Sequence, residues 1–237
     1  MMGKKANKDS SQDNNFLLSS RSSTEIKEAY VKLRTNMMFC MTSDGSRNCR
    51  TFAISSPGNF DGKSVTAANV AISFAMLGKK TLLIDADMRS SSQRRLWKNR
   101  TLTGLCDFLA KIKPLEVFSV NDIPLSIVFT GTLPPNPSEL LSTDKMADFV
   151  KECAGHYDYI IIDTPPLNNY ADAQIISTFV DGIVLVAKSG GTKSADLQSS
   201  IDSVKRAGGN FCGVTVNCIK QNKSRFINLK GSSSKGK

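Results

Sequence analysis

Three short patterns in this chain of 237 residues carry side chains suited to phosphate chemistry. Gly62-Lys63-Ser64 closes a loop that follows the apolar run at 51–55 and precedes a stretch of helical period. In such a loop the backbone N–H groups wrap phosphates, the lysine neutralises the outer oxygens and the hydroxyl reaches Mg²⁺. The usual spacing is G-x-x-x-x-G-K-[ST]; here Pro57 stands at the first glycine's place and Gly58 follows it. Asp85 and Asp87 issue directly from a second apolar run, "LLIDAD", where unpaired charge is costly. Left to themselves they would be turn residues or partners of Arg89. Beside a phosphate loop they are suited to holding Mg²⁺ and to taking a proton from an attacking hydroxyl. Asp163 ends a third run, "YIIID", and Pro165 and Pro166 then stop the strand.

Charges can meet this way only if the runs are neighbouring strands. Runs rich in Ile, Leu and Val recur as "TFAIS", "TLLID", "LSIVF", "YIIID", "GIVLVA" and "FCGVTVN", continuous rather than alternating. Helical period fills 64–77, 138–153, 172–179 and 192–207 between them. Continuous runs alternating with helices predict a parallel sheet covered on both faces, with ligands at the carboxyl ends of the strands. Ahead of the first strand, Ser22 and Ser23 are N-cap candidates for a helix with Ile26, Tyr30, Leu33 and Met37 on one face.

The totals set the bounds. The length and an apolar fraction of 40% suit one α/β domain, and no run approaches the roughly 20 apolar residues of a membrane span. The start has no apolar signal core, so a cytoplasmic location is expected. Six cysteines without a C-x-x-C pair indicate neither zinc nor disulfides, and most are expected to be reduced core residues. The net charge of +10 gathers at the ends: 220–237 holds six basic residues and no acid, and is expected to be disordered and drawn to anionic surfaces. The expected organisation is a flexible polar N-terminus over 1–21, one domain over 22–219 and a disordered basic tail over 220–237.

With these residues in view, the chain resembles the bacterial tyrosine kinases of capsule and exopolysaccharide biosynthesis. "GKSVTAANVAISFAMLGKKTLLIDADMR" looks like that family's Walker A segment and its D-x-D-x-R motif, "IIIDTPP" like its Walker B, and "GTLPPNPSELL" like a connecting segment. The resemblance implies a P-loop NTPase-like, doubly wound and mostly parallel α/β sheet with a deviant Walker A loop. It implies Lys63, Asp85 and Asp87 in catalysis, and Ser64, Asp85 and Asp163 around Mg²⁺. Gly58, Asp61, Gly62, Lys63, Ser64, Val65, Arg89 and Asn217 would contact ATP. The implied reaction is transfer of the γ-phosphoryl group of ATP to protein tyrosines. It further implies a membrane-embedded polysaccharide co-polymerase as activator, recruitment to the inner face of the cell membrane, a homo-oligomer, and no nucleic-acid partner.

Three departures stand against the family pattern. Phe60 occupies a position where the family loop has glycine, and phenylalanine resists positive φ and close backbone approach. The helix keeps Glu28 and Arg34 of E-x-x-R-x-x-R, a motif associated with ring assembly, but has Val31 between them, with Lys32 about 100° around the helix. The tail to residue 237 contains no tyrosine; Tyr30, Tyr157, Tyr159 and Tyr170 lie elsewhere. Two other readings therefore stand beside the kinase: a nucleotide-binding pseudokinase partner, and a partitioning or positioning ATPase. The latter is disfavoured because Gly58 replaces its signature lysine. His156 is expected at the surface, and Trp97 as the anchor of a basic helix.

Overall fold

The apolar runs become strands whose alternate residues enter two different cores. The computed structural model describes residues 16–40 and 50–219. In chain order the elements are α1 (Thr24–Phe39), β1 (Arg50–Ser55), α2 (Lys63–Ala75), β2 (Thr81–Asp85), α3 (Ser92–Leu96), α4 (Leu105–Leu109), β3 (Phe118–Ser119), β4 (Leu125–Val128), α5 (Pro137–Leu141), α6 (Asp144–Cys153), β5 (Tyr159–Asp163), α7 (Asp172–Ser177), β6 (Gly182–Lys188), α8 (Ser194–Arg206) and β7 (Phe211–Asn217). They form a seven-stranded sheet in the order β3-β4-β2-β5-β1-β6-β7. Every pairing is parallel except that of the short edge strand β3.

Ile160 and Ile162 of β5 enter a core shared with Leu82, Ile84, Ile183, Leu185 and helices α4, α6, α7 and α8. Ile161, one residue between them, enters the opposite core with Phe52, Ile54, Leu83 and α2. A strand buried on both faces has no polar position to alternate, which is why these runs read as continuous. Each fully buried Ile, Leu or Phe contributes about 1.5–3 kcal/mol. The first strand ends, and the charges they carry, are thereby fixed on a stiff platform.

Ser23 caps α1, its Oγ accepting the Ile26 N–H at 3.4 Å. Arg34 donates to the Ser73 carbonyl at 2.6 Å and the Ser73 hydroxyl at 3.0 Å, docking α1 on α2. The expected helix over 138–153 is two helices, because Thr143 takes an extended backbone and its hydroxyl bonds back to the Leu140 carbonyl at 2.8 Å.

The boundary expected at residue 22 needs correction. Asn69 of α2, buried, accepts the Leu18 N–H at 2.7 Å and donates to the Phe16 carbonyl at 2.8 Å, and Leu18 enters the α2-side core. Residues 16–21 thus belong to the domain. The remainder of the expected flexible N-terminus, 1–15, and the expected tail, 220–237, lie outside the described residues. Cys106 is buried, whereas Cys40, Cys153 and Cys212 are half-buried and Cys218 is exposed; all five are free. Among the described residues, no helix is long and apolar enough to cross a membrane.

Candidate active site

Strands β2, β5 and β1 lie side by side and end at the same edge. From β1 the chain enters the loop at 56–62, and α2 begins at Lys63. Gly62 caps α2 with φ +95°, and a Cβ there would fall on the Asn217 amide, so glycine is required twice over. The amide of Asn217 donates to the Asp61 carbonyl at 3.1 Å. Asp61 turns its carboxylate into the loop, accepting the Gly58 N–H at 3.1 Å and the Thr192 hydroxyl at 2.9 Å. The Ser56 hydroxyl donates to the Gly58 carbonyl at 2.7 Å. The loop is braced from three sides.

Phe60 answers the question its position raises. Its φ is +64°, in the left-handed region that favours glycine, and its ring projects into solvent, 93% exposed. The backbone there carries a strain of about 1–2 kcal/mol.

At the head of the cleft, Lys63 Nζ lies 2.8 Å from Asp87 Oδ2 and 3.3 Å from Ser64 Oγ. Asp87 also accepts the Ser90 hydroxyl at 2.9 Å and the Arg89 N–H at 3.3 Å. Desolvation works against the Lys63 ammonium, yet the charges of Asp163, Asp87 and Asp85 outweigh it and raise its pKa. Asp85 and Asp163 face each other across β2 and β5, both fully buried. Burial, then the charge of Asp163, pushes the Asp85 carboxyl well above its ordinary range. Burial also pushes Asp163 up, to about 6, against the opposing pull of Lys63.

Sequence reasoning missed the residue that steadies this pair. Gln93, fully buried, donates to Asp163 Oδ2 and to the Ser64 carbonyl, each at 2.8 Å, and accepts Trp97 Nε1–H at 3.2 Å. Trp97 anchors α3 as expected, but through this bond as well as through packing. Arg89 points elsewhere than the loop. It grips Asp172 with two bonds of 3.0 Å, reaches the Ser138 hydroxyl at 3.0 Å and lies 3.9 Å over the Tyr170 ring. The 131–141 segment thus supports the site through Ser138. Asp172, Ser138 and Thr192 gave no signal of their own in the sequence.

Lys63, Ser64, Val65 and Asp87 line an open cleft of about 570 Å³ with Phe60, Phe16, Ser90 and Arg95. An ammonium, a hydroxyl, a helix N-terminus and three convergent carboxylates suit a polyphosphate and its cation.

The AAA domain family model matches residues 54–205. The chain is 34% identical over 224 residues to tyrosine-protein kinase YwqD of Bacillus subtilis, covering 94% of this chain and 93% of that protein. Among solved structures, the chimerical protein CapA2B2 matches with a TM-score of 0.79 at 29% identity, covering 85% of this chain and 88% of that one. The kinase domain of the Escherichia coli tyrosine kinase ETK matches with a TM-score of 0.77 at 29% identity, covering 84% and 78%. Fold, charged edge and likeness over nearly the whole length agree: this chain belongs to the bacterial tyrosine-protein kinases, on a P-loop nucleotide-binding fold.

Proposed function

We propose that this chain transfers the γ-phosphoryl group of Mg-ATP to tyrosines of other proteins, controlling the synthesis and export of a capsular or exopolysaccharide. In this reading it works with a membrane-embedded activator that recruits it to the inner face of the cell membrane. The observation that carries the reading is the meeting of Lys63, Ser64, Asp85, Asp87 and Asp163 at one sheet edge. A cation fits there: both Asp85 carboxylate oxygens and one of Asp163 are buried without a hydrogen-bond partner among the described residues. Ser64, Asp85 and Asp163 would hold Mg²⁺, which supplies charge neutralisation on the phosphate oxygens.

The chain's own residues supply the rest. Backbone N–H groups of the loop and of α2 bind phosphate, and Lys63 exchanges Asp87 for the outer oxygens. Asp87, released, orients the phenol and accepts its proton. As the phenolic oxygen bonds to phosphorus, the bond to the bridging oxygen breaks and ADP leaves. The acceptor belongs to another protein in this reading, because Tyr159 is buried against Phe74 at 3.9 Å, Tyr30 is tied to Asn69, Tyr170 lies under Arg89 and Tyr157 packs against the core.

Labelled ATP tests this with the proteins encoded beside it. Label should pass to a tyrosine and vanish with Asp87→Asn; label that persists in that variant would remove Asp87 from the chemistry. A second reading, a nucleotide-binding pseudokinase without turnover, is favoured by Phe60, by Val31 in α1 and by the lack of tyrosine in 220–237. Nucleotide-dependent stabilisation with no transfer to any partner would establish it.

A further inference from the structure

The strained, exposed Phe60 marks a place that something else must cover. Its left-handed backbone and solvent-facing ring both work against the free protein. An outlier of this kind at a site points to use there. The ring lines the same cleft as Lys63 and Asp87, and so do Phe16, itself 63% exposed, and Leu96. With Val65 these make four apolar residues that share a cleft with the two charged groups assigned above to phosphate and to the acceptor proton. A phenol matches that combination, with apolar ring faces and one polar end.

The rim adds a sign. Arg95 lines the cleft, in a stretch, 88–106, that holds no acid. It spends its hydrogen bonds on uncharged partners, the Ser90 carbonyl and the Ser92 hydroxyl at 3.1 Å. A guanidinium at the edge of an apolar cleft selects negative flanks on the incoming segment.

We propose that Phe60, with Phe16 and Leu96, grips the acceptor tyrosine ring, and that Arg95 selects acidic residues beside it. The substrate class is a tyrosine in an acidic segment of another protein. This rests on the kinase reading above, but binding can be measured apart from transfer.

The test uses the full chain with Mg-ADP and a fluorescein-labelled heptapeptide holding one tyrosine among glutamates, read by anisotropy. Phe60→Gly should weaken peptide binding about five- to tenfold, the order an aromatic pair contributes. Phe60→Tyr should restore it, and affinity for a fluorescent ADP should stay within about twofold. Arg95→Glu should shift preference towards a peptide with lysines in place of the glutamates. Wild-type protein that ignores the acidic peptide overturns the proposal, even where label still passes to a natural partner. A Phe60→Gly variant that loses nucleotide but not peptide also overturns it, assigning the ring to the nucleotide. Peptide binding without any transfer would support the cleft assignment while defeating the kinase reading.

Discussion

Asp85 and Asp163 stand opposite each other on adjacent parallel strands, both fully buried, and three of their four carboxylate oxygens meet no hydrogen-bond donor among the described residues. Without a cation this is a destabilising pair. Its protonation has a defined sign: the folded pKa of Asp163 lies near 6, above an ordinary value of 3.8, so the folded state holds the extra proton between those limits. Its contribution to stability is therefore greatest below about pH 4 and is lost as pH rises through 6.

Asp163→Asn should accordingly raise stability in metal-free buffer at pH 7.5 by up to about 3 kcal/mol, the equivalent of two pKa units. The gain should shrink to near zero at pH 4. In saturating Mg-ATP the order should reverse, the wild type becoming the more stable. Urea unfolding at both pH values, with and without Mg-ATP, checks all three.

Lys63 and Asp87 hold each other at 2.8 Å with little access to solvent. Lys63→Ala leaves Asp87 buried without its cation and should cost about 3 kcal/mol. It should also abolish the roughly 2.7 kcal/mol of stabilisation expected from nucleotide at 100 times its dissociation constant. Lys63→Ala with Asp87→Asn should recover most of the stability and none of the nucleotide response, in thermal unfolding with and without Mg-ADP.

Gln93 joins α3, the phosphate loop's helix and the buried acid pair. Gln93→Ala removes a donor to Asp163 and leaves the Trp97 N–H unmatched, at a cost of roughly 2 kcal/mol. Because that donor lowers the Asp163 pKa, its loss should move the pH midpoint of Mg-ATP binding upward. A midpoint that stays in place would limit Gln93 to packing. Titration of fluorescent nucleotide between pH 5 and 8 reads the difference.

Arg89 meets Asp172 with a two-pronged grip over the Tyr170 ring. Arg89→Lys cannot reproduce the planar fork and should destabilise by about 1–2 kcal/mol; Arg89→Ala, stranding a buried carboxylate, should cost about 3 kcal/mol or more. If Arg89 acts only through this brace, nucleotide affinity in Arg89→Lys should remain within about threefold of wild type.

The parts of this architecture that leave a run or a motif were legible beforehand. Continuous Ile and Leu in "YIIID" and "TLLID" announced strands covered on both faces, and carboxylates at their ends announced a charged edge. What escaped were features that depend on tertiary neighbours. Gln93 sits in "SSQRRLW", which has the composition of a solvated helix, and only the fold turns its amide inward. Strand β3 is two residues long and has no pattern of its own. The break at Thr143 rests on one hydroxyl competing for a carbonyl. The sequence raised the question of positive φ at Phe60 but not its answer, which rests on tertiary neighbours: Asp61, Asn217 and Thr192 brace the loop around it.

Leu18 and Asn69 give the leading edge of the domain a significance beyond anchorage. A protein clipped to begin at Ser22 would retain each phosphate-handling side chain but lose Leu18 from the α2-side core. It would have shed Phe16, one wall of the entrance, and uncovered a buried amide on α2. Cleavage near residue 20 would then change the mouth of the cleft and the α2-side core together.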